Sequence, residues 1–133
     1  MSIFDEPVFG KENARITDYK PMTWKKFIKL RQCAKNISEH TGYPIYLVGS
    51  TLLSDRPRDF DIVMIIPYEE YENMFGKVDD KNVYSVIGRA FNYFADPYYF
   101  QLINVLGGFG KVSLDFKVYP DTWFVNKDKI LLS

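Results

Sequence analysis

Three aspartates occupy positions from which their carboxylates can act together on divalent cations. Asp59 and Asp61 stand two residues apart in a β-rich segment, so both side chains leave the same face, roughly 7 Å apart at the backbone. Asp115 lies on the polar side of a later segment with alternating pattern. Carboxylate oxygens suit Mg²⁺, and two such ions clamp the attacking and leaving oxygens of a displacement at phosphorus. These residues predict a catalytic site for two Mg²⁺ ions, or Mn²⁺, provided that the two strands are neighbours.

A glycine-serine pair provides a candidate phosphate-binding turn. Gly49 and Ser50 follow the apolar run of residues 45–48, which has the pattern of a buried strand. Glycine permits close approach of the backbone to a ligand, and free N–H groups at such a turn suit phosphate oxygens. Arg58 and Lys117 are candidates for further contacts with a bound nucleotide. The alternative for Arg58 is an ion pair with a neighbouring aspartate, and for Lys117 a solvated position.

The order of these features resembles the signature of the DNA polymerase beta superfamily of nucleotidyltransferases. Residues 47–50 (Leu-Val-Gly-Ser) are followed, after a spacer of eight, by residues 59–63 (Asp-Phe-Asp-Ile-Val). Residues 112–118, around Asp115, resemble the later strand that carries the family's third acid. The resemblance covers about residues 23–119. It leaves no room for the extra helical domain of larger members, so the chain looks like the minimal, single-domain type.

The resemblance implies a function and the roles of several residues. In the family, the three acids bind two magnesium ions and the Gly-Ser turn contacts the triphosphate. Asp59, Asp61 and Asp115 would then hold the metal ions, and Gly49 and Ser50 a nucleoside triphosphate such as ATP. The implied reaction transfers a nucleoside monophosphate to a hydroxyl of an RNA, a protein or a small molecule. Minimal members often act with a partner chain or as oligomers, which is the expectation here.

A second class of function fits the same motifs. A chain with this fold can be a non-catalytic binding or assembly protein, such as an antitoxin-like subunit or a structural or cargo component of a viral assembly. In that interpretation Asp59 and Asp61 are solvated acids balanced by Arg56 and Arg58. The complete set of acids favours the enzyme, whereas the small size and the missing acceptor domain favour the binding protein.

Charge sets a further limit on the partners. The 133-residue chain has 17 basic and 17 acidic residues, a balance that argues against binding long nucleic acid without a partner. The charge is uneven, however, because residues 25–35 contain five basic and no acidic side chains. Such a run is typical of a solvated helix face. RNA binding by the first helix is the third alternative.

Cysteine, histidine and hydropathy patterns exclude other classes. Cys33 is the only cysteine and His40 the only histidine, so neither an internal disulfide nor a Cys/His zinc site is expected. The sequence has no apolar run of about 20 residues and no signal-peptide pattern. We therefore expect a cytoplasmic protein that does not enter the membrane.

To position the site, the chain is expected to form one α/β domain with a mixed β-sheet flanked by helices, at residues 21–133. An irregular lead-in at residues 1–20 is expected before it. Apolar spacing predicts a first helix that begins after Thr23 and ends at Gly42, and a later helix that stops before Pro97. The remaining predicted elements are strands at residues 45–48 and 59–66, a short helix at 68–74, and a hairpin whose arms, 100–106 and 111–119, flank a glycine-rich turn.

Overall fold

A four-stranded mixed sheet with helices on one face forms the protein, and the predicted α/β class is confirmed. The computed structural model describes residues 7–9, 22–49, 60–108, 110–123 and 129–133. In chain order its elements are β1 (Pro7–Phe9), β2 (Met22–Thr23), α1 (Trp24–Thr41), β3 (Ile45–Val48), β4 (Phe60–Ile66), α2 (Tyr68–Phe75), α3 (Val83–Leu106), β5 (Leu114–Pro120), a 3-10 turn (Asp121–Trp123) and β6 (Lys129–Leu131).

The sheet has the strand order β5-β4-β3-β6. β3 pairs antiparallel with both β4 and β6, whereas β4 and β5 are parallel. A parallel pair requires a crossover connection, and here α2 and α3 form it. β1 and β2 make a separate small antiparallel pair beside α1. The segment Pro7–Phe9 is therefore a strand where an irregular lead-in was expected, and the other residues of that lead-in lie outside the described part of the chain.

Local sequence explains both ends of α1. The Thr23 hydroxyl accepts a hydrogen bond from a backbone N–H of the first turn at 3.2 Å, which caps the helix. At the other end Gly42 adopts φ 82°, a left-handed conformation that terminates helices and favours glycine. Leu30, Ala34 and Ile37 point into the core from the inner side. The predicted boundaries of this helix are confirmed.

The predicted hairpin is wrong, because α3 continues through Pro97 to Leu106. A proline inside a helix costs roughly 3 kcal/mol. The extension buries Leu102, Ile103 and Leu106 completely or nearly so. At about 1.5–3 kcal/mol for each apolar side chain, this burial exceeds the cost of the proline. Residues 100–106 are thus about two helical turns that bury one side, and the strand after Gly107 pairs with β4.

The two faces of the sheet differ. On one face, Phe60, Ile62, Met64 and Ile66 of β4 pack against the buried side chains of the helices in the main core. The opposite face is defined here as the site face. Its members on β4 and β5 are Asp61, Val63, Ile65, Asp115, Lys117 and Tyr119.

No helix in the described ranges is long and apolar enough to cross a membrane.

The C-terminal strand was not predicted from the sequence. β6 pairs with β3 at the edge of the sheet, and the Leu132 N–H donates to the Ile45 carbonyl at 2.8 Å. The chain end therefore completes the sheet beside the strand that leads to Gly49.

Candidate active site

Asp61 and Asp115 lie opposite each other on adjacent parallel strands. Residues in register on neighbouring strands are about 4.8 Å apart and project to the same face. Because Phe60 and Ile62 point into the main core, Asp61 points to the site face, and the exposed side chain of Asp115 points there too. The two strands are neighbours, which is the condition on which the predicted site depends. It arises from parallel pairing across a long crossover.

Gly49 brings the predicted turn into contact with the same carboxylate. Val48, the last residue of β3, pairs with Asp61, so the chain turns at Gly49 directly beside this side chain. Gly49 has φ 73°, and a Cβ atom added there would lie 2.9 Å from Asp61 Cγ and closer still to Oδ2. Both the backbone conformation and the space therefore require glycine. Gly49, Asp61 and Asp115 form one corner of the site face.

A row of polar side chains continues from this corner along β5. Lys117 Nζ lies 3.9 Å from Asp115 Oδ2, with both side chains almost half exposed. Tyr119 follows on the same face. Burial raises the pKa of Tyr119, the charge of Lys117 and its hydrogen bond lower it, and the carboxylates of Asp115 and Asp61 raise it. The charges of Asp61, Asp115 and Lys117 therefore all act on the hydroxyl of Tyr119.

Tyr119 was not among the residues singled out from the sequence. The available signal was the alternation of β5, since residues 115, 117 and 119 must share a face. Its ring packs on that of Trp123, with centroids 5.1 Å apart, over a floor formed by Val48, Val63 and Ile65. These three side chains are almost fully buried, so the polar row stands on an apolar base.

The remaining predicted site residues, Ser50, Arg58 and Asp59, lie outside the described part of the chain. Within the described part, no three His, Cys, Asp or Glu side chains lie close enough together to hold a metal ion. Two of the three predicted metal ligands do stand opposite each other. Carboxylates on adjacent strands are the donor type that fits Mg²⁺ or Mn²⁺, so the residues present fit such an ion.

A cavity of about 410 Å³ lies at the other end of β4 and β5. Its lining includes the rings of Tyr68, Tyr84 and Trp123 and the carboxylates of Asp79 and Asp80. Since Tyr68 follows β4 and Trp123 follows β5, the cavity is separated from the paired aspartates by most of a strand length, more than about 15 Å. It is therefore distinct from the corner at Gly49.

Comparisons with known proteins identify no relative of this chain. No protein-family model, no curated protein and no solved structure matches it. A function must therefore be proposed from the paired aspartates, the glycine turn beside them and the lysine on β5.

Proposed function

We propose that this protein is a metal-dependent nucleotidyltransferase of the DNA polymerase beta type. It transfers a nucleoside monophosphate from a nucleoside triphosphate to a hydroxyl of an RNA, a protein or a small molecule. The pairing of Asp61 with Asp115 on adjacent strands carries this proposal, because it concentrates negative charge beside a glycine turn. Repulsion between two such carboxylates is relieved when a divalent cation binds them.

Each residue of the corner has a role in the proposed reaction. Asp61 and Asp115, with Asp59, hold two Mg²⁺ ions, which when bound neutralise the triphosphate and align the reacting oxygens. Gly49, Ser50, Arg58 and Lys117 would contact the phosphate oxygens of the nucleotide. The acceptor oxygen attacks the α-phosphorus, and the bond to the bridging oxygen breaks to release pyrophosphate. The hydroxyl proton passes to Asp115.

The Lys117–Asp115 ion pair favours one second candidate, a non-catalytic binding or assembly protein with the same fold. A lysine at 3.9 Å partly neutralises the carboxylate and reduces its need for a cation. In the enzyme, the same lysine moves its contact from Asp115 to a phosphate when nucleotide binds. The two candidates therefore differ in whether nucleotide binding depends on the metal.

A transfer assay tests the proposal. The protein is incubated with Mg²⁺ and nucleoside triphosphates labelled at the α-phosphate, together with RNA and protein acceptors. Asp61→Asn and Asp115→Asn should each lower transfer on the order of a hundredfold or more, because each removes charge that acts on the reacting phosphate. Asp80→Asn, an exposed carboxylate far from the corner, should leave transfer unchanged.

Calorimetry with the same nucleotides separates the two candidates. The enzyme requires triphosphate binding that depends on Mg²⁺ or Mn²⁺ and is weakened by Asp61→Asn. Binding that is absent, or equal with and without metal, would support the non-catalytic protein. Transfer that survives in Asp61→Asn would refute the assigned site.

A further inference from the structure

The outer side of α1 carries a strip of exposed basic and apolar side chains. We call it the α1 strip and define it by Trp24, Lys25, Ile28, Lys29 and Lys35. All five are exposed, although Trp24 and Ile28 are large hydrophobic residues with 42% and 41% of their surface accessible. The inner side of the helix packs into the core, so the strip is the surface that α1 presents outward.

The charge of the strip is not compensated nearby. Lys25, Lys29 and Lys35 make no ion pair with any residue in the described ranges. The neighbouring Arg31 donates from Nε to the Leu132 carbonyl at 3.4 Å. Glu39 is the only acid of α1, near its C-terminal end. An electrically neutral protein thus concentrates positive charge on one helix.

The strip begins at the end of the molecule that holds the paired aspartates. Lys26, in the first turn of α1, places Nζ 5.5 Å from the ring centroid of Phe60. Phe60 directly precedes Asp61 in β4. A chain bound along α1 would therefore run toward the strand start from which the candidate site is built.

We infer that the α1 strip binds single-stranded nucleic acid. Lys25 and Lys35 are about 15 Å apart along the helix axis, a length that spans about four phosphates of a stacked strand. The lysines meet the phosphates, and Trp24 offers a ring on which a base stacks. Overall neutrality does not oppose this binding, because salt screens distant charges and the phosphates respond most strongly to the lysines nearest to them. The inference goes beyond the proposed function and holds whether or not the protein is a catalyst.

An anionic membrane is the rival partner for a basic helix with exposed apolar residues. Interfacial helices insert a continuous apolar face into the lipid. The apolar face of α1 is instead occupied by the core, and the strip contributes only Trp24 and Ile28, which are neighbours one turn apart. A single stacking ring beside cations is enough for nucleic acid, so it fits the strip better.

Fluorescence anisotropy with labelled single-stranded RNA and DNA of about 15 nucleotides tests the inference, without metal or nucleotide. Binding is measured against salt for the wild type and for Lys25→Gln/Lys29→Gln/Lys35→Gln. Three phosphate contacts predict a slope of log K on log salt near −2, and their loss should weaken binding roughly 100-fold at 0.1 M salt. The matched control is Lys77→Gln/Lys81→Gln/Lys111→Gln, which removes the same charge from exposed positions elsewhere.

The outcomes are distinct. Strong weakening in the α1 variant, with at most a few-fold change in the control, supports the inference. Equal weakening in both variants overturns it, since binding would then reflect net charge alone. Binding to phosphatidylserine vesicles with none to either nucleic acid also overturns it. Because metal and nucleotide are absent, failure here leaves the proposed transferase activity untouched, and failure of transfer leaves strand binding untouched.

Discussion

Gly49→Ala is the most direct perturbation of the corner, because it adds one methyl group beside Asp61. The new residue would have to hold φ near 73°, which costs an L-residue about 1–2 kcal/mol. Its Cβ would also lie 2.9 Å from Asp61 Cγ, so the carboxylate must rotate away. A side chain pushed about 30° off its rotamer costs a further 0.5–1.5 kcal/mol or so.

Gly42→Ala is the matched control. Gly42 has a similar φ of 82°, but no atom lies within 4 Å of an added Cβ, so only the backbone cost applies. Urea denaturation should therefore show a loss of about 1–2 kcal/mol for Gly42→Ala and about 0.5–1.5 kcal/mol more for Gly49→Ala. The functional difference should be larger, because only Gly49→Ala displaces a proposed metal ligand.

Titration with Mn²⁺ measures that functional difference. Gly49→Ala should bind Mn²⁺ at least about tenfold more weakly than the wild type, whereas Gly42→Ala should bind like the wild type. If both variants lose the same stability and both keep full Mn²⁺ affinity, then Asp61 does not depend on the glycine for its position, and the reasoning fails.

Four further predictions concern three side chains. Tyr71→Phe removes a buried 2.9 Å hydrogen bond to the Val118 carbonyl and should cost about 1–2 kcal/mol in urea denaturation; an unchanged midpoint would contradict it. Burial, with a smaller effect of Tyr119, raises the pKa of Tyr71 to about 12 from 10.0, so stability should fall as pH rises from 10 toward 12, less steeply in Tyr71→Phe. Pro97→Ala should stabilise α3 by about 1–3 kcal/mol, and a loss would count against a continuous helix. Lys117→Gln should weaken binding of nucleoside triphosphate but not of Mn²⁺; unchanged triphosphate affinity would exclude the phosphate contact.

The sequence predicted those elements whose signals are local. Thr23 and Gly42 mark the ends of α1 by their own side-chain and backbone properties, so the helix was found with its boundaries. The alternation along β5 likewise separated Asp115 and Lys117 from the buried positions of the strand. Both cases depend on neighbours in sequence, and no information about packing was required.

The course of the chain between residues 96 and 113 depends on packing, and there the prediction failed. Pro97 and the glycines after residue 106 are strong local signals for a break and a hairpin. The competing signal is a four-residue spacing of core positions from Val86 to Leu106, in which the partly buried Tyr98 continues the series beyond Pro97. Tertiary burial outweighed the local preference.

The site could be predicted only in part for the same reason. Asp61 and the turn at Gly49 are close in sequence and belong to consecutive strands. The position of Asp115 depends on which strand pairs with β5, and the packing of α3 against the core determines that pairing. Its pairing with Asp61 meets the condition on which the predicted site depends, although the expected hairpin would have given β5 a different neighbour.

The parallel register of β4 and β5 has a consequence for folding. Asp61 and Asp115 are 54 positions apart, and the connection between their strands contains α2 and α3. Such long-range closure is slow compared with the pairing of nearby strands. Until β5 has joined the sheet, β4 presents Asp61 without the paired carboxylate of Asp115, and one edge of β4 is unpaired. A site that needs both carboxylates is therefore complete only when β5 has joined the sheet.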